Sequence, residues 1–421
     1  MLKNAAVNGL LLNAPNTNSF TYKKGMITMY ELCEGVYYVG VKDPDLKIFD
    51  IIMETEFGTT YNSYIVKGEK TALIEASHDK LSDEFINNIE EIVPISELDY
   101  IICNHTEPDH SGALAKILAV NPNITVIGTI AALKNLKEIT NMTFKEQLAK
   151  DGAELDLGAG VVLKFIVAPN LHWPDTMMTY YSGKKILFSC DVLGAHYCTD
   201  GVTDRDIANK ADYDKAMKLY YDCIVSPFNP FVVKGLEKLA GLEIDMVCNS
   251  HGPVLIDTIS EAIDKYVKWS APVVNSPKKI AVLYVSAYGY TEMLANEAAE
   301  ALSGEGYDVS IYNVIDTDTD KIYDALHSAD AVMLGTPTIN RNALKPIWDI
   351  VGSIDVVASQ NKKFAVFGSY GWSGEGCGLI HGTLKSMRLK VYSEPLKVIF
   401  KPTQDNLEQM RKYALDFAAD I

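Results

Sequence analysis

The chain has 421 residues, of which 48% are hydrophobic and 22% charged, a composition typical of a soluble globular protein with two or three domains. It carries 38 Lys and Arg against 55 Asp and Glu, a net charge of −17. This balance argues against nucleic acid as the main partner, because phosphate contacts require clustered positive charge. No apolar run approaches the length needed to cross a bilayer, so we expect no membrane segment.

The seven cysteines are scattered, and no two of them form a C-x-x-C pair. This spacing excludes a zinc ribbon and a rubredoxin-type iron site. The odd cysteine count and the weak N-terminal apolar run, which does not resemble an export signal, predict a cytoplasmic protein. Residues 1–28 are interpreted as an N-terminal extension.

Short apolar strands dominate the first half of the chain, and helices are interposed later. Strands are predicted at residues 36–41, 60–66, 71–75, 98–103, 125–127, 161–167, 177–181, 185–189 and 246–248. Helices are predicted at residues 81–92, from Ser111 onward, and at 212–224 and 230–239. This order favours a layered αββα sandwich over a pure βαβ array, with a first domain at residues 29–270.

The composition changes at residues 271–278, where prolines and small polar residues predict a linker. From residue 279 to residue 421, strands alternate strictly with helices. We expect strands near 279–285, 309–313, 331–334, 364–368 and 389–394. Five parallel strands in this length predict a second, doubly wound α/β domain.

The densest cluster of metal-competent side chains lies at residues 104–112, directly after a predicted buried strand. His105, Glu107, Asp109 and His110 place two imidazoles and two carboxylates within six positions. We expect them on a strand-to-helix loop, where side chains can converge on one point. A polar turn explains any one of these residues, but it explains four together poorly, so we predict a metal site.

Three further candidates, His172, Asp191 and His251, each follow an apolar strand and are expected at the same edge of the sandwich. Any one of them alone is as well explained by packing. Together the seven candidates offer only nitrogen and oxygen donors and no thiolate, a set that suits iron or manganese better than zinc. His196 and Tyr197 follow Asp191 closely and are candidates for hydrogen bonding or proton donation to a bound ligand, with ordinary packing as the alternative.

Three loops are expected at the carboxyl edge of the second domain's sheet, where open α/β sheets bind ligands. A loop of Ser, Thr and Gly before a helix can bind phosphate through hydroxyls and backbone N–H groups. The candidate residues are Ser286, Ala287, Tyr288, Gly289, Tyr290 and Thr291 in the first loop; Thr336, Pro337, Thr338, Ile339 and Asn340 in the second; and Ser369, Tyr370, Gly371, Trp372, Ser373 and Gly374 in the third. The first loop contains neither the G-x-x-x-x-G-K-[S/T] nor the G-x-G-x-x-G pattern, and a capped turn is the alternative for this loop taken alone.

The order of the seven candidate ligands resembles that of the metallo-β-lactamase-like sandwich, except that Glu107 stands where hydrolytic zinc members have His. With these ligands and the three loops, the chain resembles a flavodiiron protein (A-type flavoprotein) over residues 30–421. The resemblance implies that His105, Glu107 and His172 bind one iron, that Asp109, His110 and His251 bind the other, and that Asp191 bridges them. It also implies that FMN places its phosphate at the first loop and its isoalloxazine ring at the other two, where Tyr370 or Trp372 stacks on it.

The same resemblance implies reduction of dioxygen to water, of nitric oxide to nitrous oxide, or of both. With no C-x-x-C pair, electrons are expected from a separate donor such as rubredoxin or a reduced deazaflavin coenzyme. A head-to-tail homodimer or a dimer of dimers is also implied. Two alternatives are a dizinc hydrolase with a flavodoxin-like appendage and an electron carrier with a degenerate metal site; Glu107 argues against the first and the complete ligand set against the second.

Overall fold

The computed structural model describes residues 30–50, 53–272, 274–419 and 421. The predicted N-terminal extension and the first residue of the predicted first domain, residue 29, lie outside the described residues. The chain divides into two compact units, Met1–Ala271 and Pro272–Ile421, and the division falls at the start of the stretch predicted as a linker. Among the described residues, no helix is both long and apolar enough to span a bilayer.

The first unit contains two stacked β-sheets. Across the seven-stranded sheet the strands are, in order, Tyr30–Cys33, Val36–Tyr38, Tyr64–Lys67, Thr71–Ile74, Tyr100–Ile102, Thr125–Gly128 and Lys145–Leu148. Across the five-stranded sheet they are Glu154–Asp156, Val162–Val167, Met177–Tyr181, Ile186–Cys190 and Met246–Asn249. Side chains of both sheets, including Val66 and Ile74 from one and Phe165 and Phe188 from the other, share one buried core.

Helices cover the outer face of each sheet, so the predicted αββα sandwich is confirmed. Those of the first half are Ser82–Glu90, Pro108–Ser111, Leu114–Val120 and Ile130–Thr140. Those of the second half are Lys210–Tyr220, Asn229–Leu239 and Ile259–Trp269, with a π-helix at Tyr221–Val225. Their apolar faces pack on outward-facing strand residues, as Phe85 does near Leu73 and Tyr266 does near Val247.

One predicted strand, residues 60–66, is two strands in the structure. Thr59–Tyr61 pairs with Val41–Asp43, whereas Tyr64–Lys67 belongs to the seven-stranded sheet. The break lies at Asn62, whose backbone N–H donates to Ser250 O (2.9 Å) and whose side-chain amide donates to Gly252 O (2.8 Å). At Asn62 the chain therefore leaves the two-stranded pair, and the hydrogen bonds of Asn62 hold the loop that carries His251. A second small pair, Ile48–Phe49 with Met53–Glu54, precedes it.

The second unit contains a parallel sheet with helices on both faces, as predicted. Its strands are, in spatial order, Asp308–Asn313, Lys279–Tyr284, Ala331–Gly335, Lys363–Tyr370 and, at the fifth position, Lys390–Val391 and Leu396–Ile399. Its helices are Tyr290–Gly304, Thr319–Ser328, Lys345–Gly352, Glu375–Ser386 and Gln404–Ala418, and a small hairpin pairs Thr338–Ile339 with Asn342–Ala343. The strand order reverses between Lys279–Tyr284 and Ala331–Gly335, which are the first and third strands of this unit along the chain. Sheets of this kind bind ligands at that point.

The fifth position differs from the predicted continuous strand at residues 389–394. Two short strands share it, and each pairs with a different part of Lys363–Tyr370. Pro395 stands between them, and proline lacks the N–H that a strand needs for its ladder. Ser393 has a φ of +34°, so the chain turns before the second strand begins.

Candidate metal centre and cofactor cavity

All seven predicted metal ligands lie at one edge of the sandwich, at the ends of strands or in the segments that follow them. One correction concerns the loop at residues 104–112: it becomes helical at Pro108, three residues earlier than Ser111. Asp109 and His110 therefore lie on a helical turn, whereas His105 and Glu107 precede it. Proline at the first helical position favours this early start, since its missing N–H would be unpaired there in any case.

The first group of donors consists of His105, Glu107 and His172. Glu107 Oε2 lies 3.2 Å from Nε2 of His105 and 3.2 Å from Nε2 of His172. His105 is fully buried, while the other two side chains are half-buried. Their donor atoms all lie within 4.8 Å of one another, a separation that allows one ion to contact all three.

The second group consists of Asp109, His110 and His251, all of them buried. Asp109 Oδ2 lies 3.2 Å from His251 Nε2, and Asp109 Oδ1 lies 3.5 Å from His110 Nε2. Among the described residues, none forms a hydrogen bond with either carboxylate oxygen of Asp109 or with His110 Nε2. Buried polar atoms that converge without hydrogen bonding one another are the arrangement expected of ligands facing a cation.

Asp191 lies between the two groups. Its Oδ2 faces the first group, 3.8 Å from His105 Nε2 and 3.6 Å from His172 Nε2. Its Oδ1 faces the second, 3.3 Å from His110 Nε2 and 3.4 Å from His251 Nε2. One carboxylate thus presents one oxygen to each group, and the donor set fits two neighbouring ions that share Asp191.

Two of the buried rings, those of His105 and His251, are held at Nδ1, so that Nε2 of each faces the other donors. His105 Nδ1 lies 3.2 Å from Asp175 Oδ2, and His251 Nδ1 lies 2.7 Å from the carbonyl oxygen of Thr60. Such contacts fix the tautomer and orientation of a metal-binding imidazole. Neither Asp175 nor Thr60 was predicted from the sequence. Only Asp175, three positions after His172, had a signal, because carboxylates are the usual partners of such rings.

Glu75 and Cys190 also approach this centre. Glu75 Oε2 lies 3.8 Å from His110 Nδ1, and Glu75, His110 and Cys190 form a further group of potential donors. Burial raises the pKa of Glu75 to about 8 and that of the Cys190 thiol well above its usual range. Burial therefore favours the neutral forms of both groups, which are poorer ligands than the ionised carboxylates beside them.

Electrostatics within the cluster favour ionised carboxylates. Burial opposes the charge of Glu107, but hydrogen bonds and the positive charges of His105 and His172 outweigh it and lower the pKa of Glu107. Burial is likewise outweighed at Asp191, whose pKa the charges of His110, His105 and His251 hold well below its usual range. Ionised carboxylates among imidazoles form the donor set of a non-haem metal site.

The second unit contains a cavity of about 300 Å³ at the switch point of its sheet. Residues of all three predicted loops line it: Ala287, Tyr288, Tyr290, Pro337, Thr338, Ile339, Asn340, Ser369, Tyr370, Gly371, Trp372 and Ser373. Arg341 and Phe400 also line it and were not predicted. Phe400 follows the second half of the split edge strand, which was predicted as one strand ending at residue 394.

The other predicted residues of these loops hold the loops in position. Thr291 Oγ1 and Ser369 Oγ lie 2.9 Å apart and join the first loop to the third, and Ser286 Oγ accepts from the N–H of Glu292 at 3.3 Å. Thr336 Oγ1 accepts from Leu344 N–H at 3.2 Å. Gly289 (φ +76°) and Gly374 (φ +69°) adopt the left-handed conformation that begins the helices Tyr290–Gly304 and Glu375–Ser386.

Comparison with known proteins decides the family. Residues 59–252 match the ODP family beta lactamase and residues 282–413 match flavodoxin. The flavo-diiron protein FprA2 of Clostridium acetobutylicum is 43% identical over 393 residues, which cover 92% of this chain and 98% of that protein. The chain belongs to the flavodiiron protein family.

Solved structures of flavodiiron proteins have the same architecture. Rubredoxin oxygen:oxidoreductase from the anaerobe Desulfovibrio gigas aligns with a TM-score of 0.68 and 28% identity, covering 93% of this chain and 98% of that one. The flavodiiron protein from Giardia intestinalis aligns with a TM-score of 0.65 and 27% identity, covering 94% of this chain and 97% of that one. The family is one of oxidoreductases, and the His and Asp cluster is consistent with its diiron site.

The flavodoxin domain of a flavodiiron protein implies FMN, and the cavity fits that group. The first loop leads into the N-terminus of a 15-residue helix, whose free N–H groups and dipole favour a phosphate. At the rim, the side chains of Trp372 and Tyr288 are 91% and 81% exposed. Aromatic rings left so open to water next to a cavity provide flat apolar surfaces against which a planar ring system can stack.

His196 and Tyr197, the two candidate residues that follow Asp191 in the chain, have different surroundings. His196 is buried, its Nδ1 lies 2.7 Å from Thr59 Oγ1, and its ring centroid lies 5.0 Å from that of His251. Within the described parts of the chain, His196 Nε2 has no hydrogen-bond partner. Tyr197 instead packs its ring against Phe57 and Tyr213, each at 5.5 Å.

Tyr220 also contacts this group of ligands and was not predicted from the sequence. Its buried hydroxyl donates to Asp191 Oδ1 at 3.0 Å and helps to orient the shared carboxylate. Nothing in the sequence marked it, because Tyr220 lies in a predicted amphipathic helix where a buried aromatic residue is expected from packing alone.

Proposed function

We propose that this flavodiiron protein reduces dioxygen to water, nitric oxide to nitrous oxide, or both, at two iron ions, with electrons delivered through FMN. The observation that carries the proposal is the position of Asp191, with one carboxylate oxygen facing each of two groups of His and carboxylate donors. Two iron ions would supply the paired one-electron redox chemistry that reduction of a diatomic gas requires. His105, Glu107 and His172 would hold one iron, and Asp109, His110 and His251 the other.

Glu107 is the residue that favours iron over the alternative, a dizinc hydrolase with a flavodoxin-like appendage. It lies between two imidazoles in the first group, so that each group contains one carboxylate of its own in addition to Asp191. Oxygen-rich sites of this kind suit iron better than zinc, for which His and Cys ligands are commoner. The cavity lined by three loops of the flavodoxin domain supports the same choice, since a hydrolase has no use for a flavin.

The remaining parts of the proposal rest on the sequence pattern for the domains and the location, and on the family resemblance for the electron donor and the assembly. We propose domains at residues 29–270 and 279–421 joined by a linker at 271–278, a cytoplasmic location, and a separate electron donor such as rubredoxin or a reduced deazaflavin coenzyme. We further propose a head-to-tail homodimer, or a dimer of such dimers, in which the FMN of one chain serves the metal centre of its partner.

The proposed reaction is tested on purified protein by metal analysis and anaerobic stopped-flow spectroscopy. We expect two irons and one FMN per chain, and reoxidation of the reduced flavin by dioxygen or nitric oxide faster than that of free FMN. Two zinc ions with no iron would favour the hydrolase. Iron-loaded protein whose flavin neither gas reoxidises faster than free FMN would exclude both substrates.

We propose His196, through Nε2, as a donor of a hydrogen bond or a proton to the bound gas. Substitution His196→Gln should leave iron and FMN content unchanged and slow gas-driven flavin oxidation by about 10²-fold, the lower end of the effect of a positioned proton donor. Tyr197→Phe is the matched comparison, because the notable contacts of Tyr197 are with Phe57 and Tyr213 rather than with the ligands. Equal rates in wild type and His196→Gln would assign His196 to packing, and slowing by Tyr197→Phe would assign the role to Tyr197.

A further inference from the structure

Among the described residues that line the cavity of the second unit, Arg341 has the one charged side chain. The other lining residues are aromatic, apolar or uncharged polar, and none of them is a carboxylate. The chain as a whole carries a net charge of −17, so this cation is opposite in sign to the molecule around it. A positive charge at the low-dielectric wall of a cavity attracts a negative charge bound beside it. The cavity therefore favours an anionic group on the side where Arg341 lies.

Arg341 lies at the turn of the small hairpin in the second unit, and both strands of that hairpin are anchored. In the first strand, Thr338 Oγ1 accepts a hydrogen bond from the N–H of Gly376 at 3.0 Å. In the second strand, Asn342 Oδ1 accepts from Trp348 Nε1 at 3.0 Å. The two donors belong to two different helices, which hold the backbone that carries Arg341 in a fixed position.

The backbone of this turn makes an arginine unexpected. Asn340 and Arg341 connect the two strands with φ values of +53° and +60°, both positive as in a type I′ turn. Such turns favour Asn followed by Gly, because glycine adopts a positive φ without steric cost. Asn340 fits this preference and Arg341 does not. A residue held in a strained conformation at the wall of a ligand cavity points to a function for its side chain.

A structural ion pair does not account for this side chain. Arg341 Nε lies 3.9 Å from Glu375 Oε1, which is beyond the length of a hydrogen bond. The carboxylate of Glu375 is hydrogen-bonded instead by Ser373 Oγ, 2.7 Å from Oε1 and 2.8 Å from Oε2. The side chain of Arg341 is 81% exposed, and an exposed ion pair of this length stabilises a fold little. The guanidinium is therefore available to a ligand in the cavity.

We propose that Arg341 binds the ring of the flavin rather than its phosphate, and that it holds the reduced flavin more tightly than the oxidised one. The inference deepens the proposed function, since it concerns the FMN through which electrons are delivered there. A flavin that has taken up two electrons and one proton carries a negative charge on its ring, which a guanidinium stabilises. The phosphate is better served by the first loop, which leads into the N-terminus of the helix Tyr290–Gly304. Arg341 thus raises the reduction potential of the bound flavin and favours electron transfer to it from the donor.

Anaerobic redox titration of the FMN-loaded protein tests this role without any gas. Arg341→Gln should lower the preference for reduced over oxidised FMN, measured as the ratio of the two dissociation constants, by about tenfold. For a two-electron couple this change lowers the midpoint potential by about 30 mV. Arg341→Lys should keep most of the preference. Lys345→Gln is the matched control, because Lys345 carries the same charge on the next helix, pairs with Asp349 and lies outside the cavity lining.

Arg341→Gly separates the effect of the charge from an effect on folding. Glycine suits the positive φ of this turn, so the variant should melt at the same temperature as wild type or higher. It should nevertheless lose the same tenfold preference for reduced FMN. A merely structural role would instead lower the melting temperature and leave the ratio of the dissociation constants unchanged.

Riboflavin, which lacks the phosphate, decides which part of the flavin Arg341 binds. The same change of ratio with riboflavin in Arg341→Gln would support contact with the ring. Weaker binding of FMN in both oxidation states, with riboflavin unaffected, would assign Arg341 to the phosphate and overturn the proposal, and so would an unchanged ratio with FMN. Protein that shows the expected shifts but reduces neither gas would count against the proposed reaction alone. Protein that binds neither flavin would overturn both.

Discussion

Substitution Asp191→Ala is expected to abolish binding of both metal ions and gas reduction while leaving FMN in place. Asp191 faces both groups of ligands, and its removal leaves four imidazoles converging on a cavity without the shared negative charge. The loss of metal affinity should exceed the roughly 10–100-fold that removal of an outer partner of a metal ligand costs. The flavin cavity is lined by residues of the second unit only, so it should be unaffected.

The measurement is iron and FMN content per chain after gel filtration, together with flavin absorbance and gas-driven flavin oxidation. Asp191→Asn keeps the shape and an acceptor for Tyr220 but removes the charge, so retention of metal in this variant alone would show that shape suffices. Asp151→Ala is the control, because Asp151 is an exposed carboxylate of the same unit that pairs with Lys238. Loss of FMN together with iron would show that the two sites depend on each other, contrary to expectation.

The seven candidate ligands could be found from the sequence because each lies close after an apolar strand. Strand ends at one edge of a sandwich are brought together by the fold itself, so His172, Asp191 and His251 were predictable neighbours although they are far apart in the chain. The partners that orient the rings were not predictable in the same way. Asp175 contacts His105 across 70 positions of sequence, and the carbonyl of Thr60 contacts His251 across 191, so both pairs are made by tertiary packing.

The layers of the fold and the alternation of strands and helices were predictable from the sequence. The structure differed from this prediction where a single local interaction decided the outcome. The strand predicted at residues 60–66 breaks at Asn62, whose amide bonds to the His251 loop, a contact more than 180 residues away in sequence. Pro395 separates the two short edge strands of the second unit, and Phe400, which lines the flavin cavity, directly follows the second of them. The cavity residues on loops that follow central strands were therefore predicted from the sequence. The cavity residue that follows the edge strand was not.

Mixing two inactive variants is expected to restore gas reduction if electrons pass between chains. The first variant is Asp191→Ala, which should hold FMN and no metal. The second is Ala287→Glu, which places a carboxylate in an exposed loop position that lines the cavity beside the helix N-terminus. That charge should repel the FMN phosphate, while Ala287→Gln, of the same size and neutral, should keep FMN and activity.

In a head-to-tail dimer, a mixed pair has one working combination, the FMN of the Asp191→Ala chain beside the metal centre of the Ala287→Glu chain. Co-expressed or refolded mixtures should therefore recover up to about a quarter of the wild-type rate, since random pairing makes half of the dimers mixed and each mixed dimer has one of its two centres in use. Each variant alone should remain inactive. If each flavin served the centre of its own chain, no pairing could restore activity, because neither chain has both cofactors. A mixture that forms mixed dimers by mass spectrometry but stays inactive would therefore refute transfer between chains while leaving the proposed reaction intact.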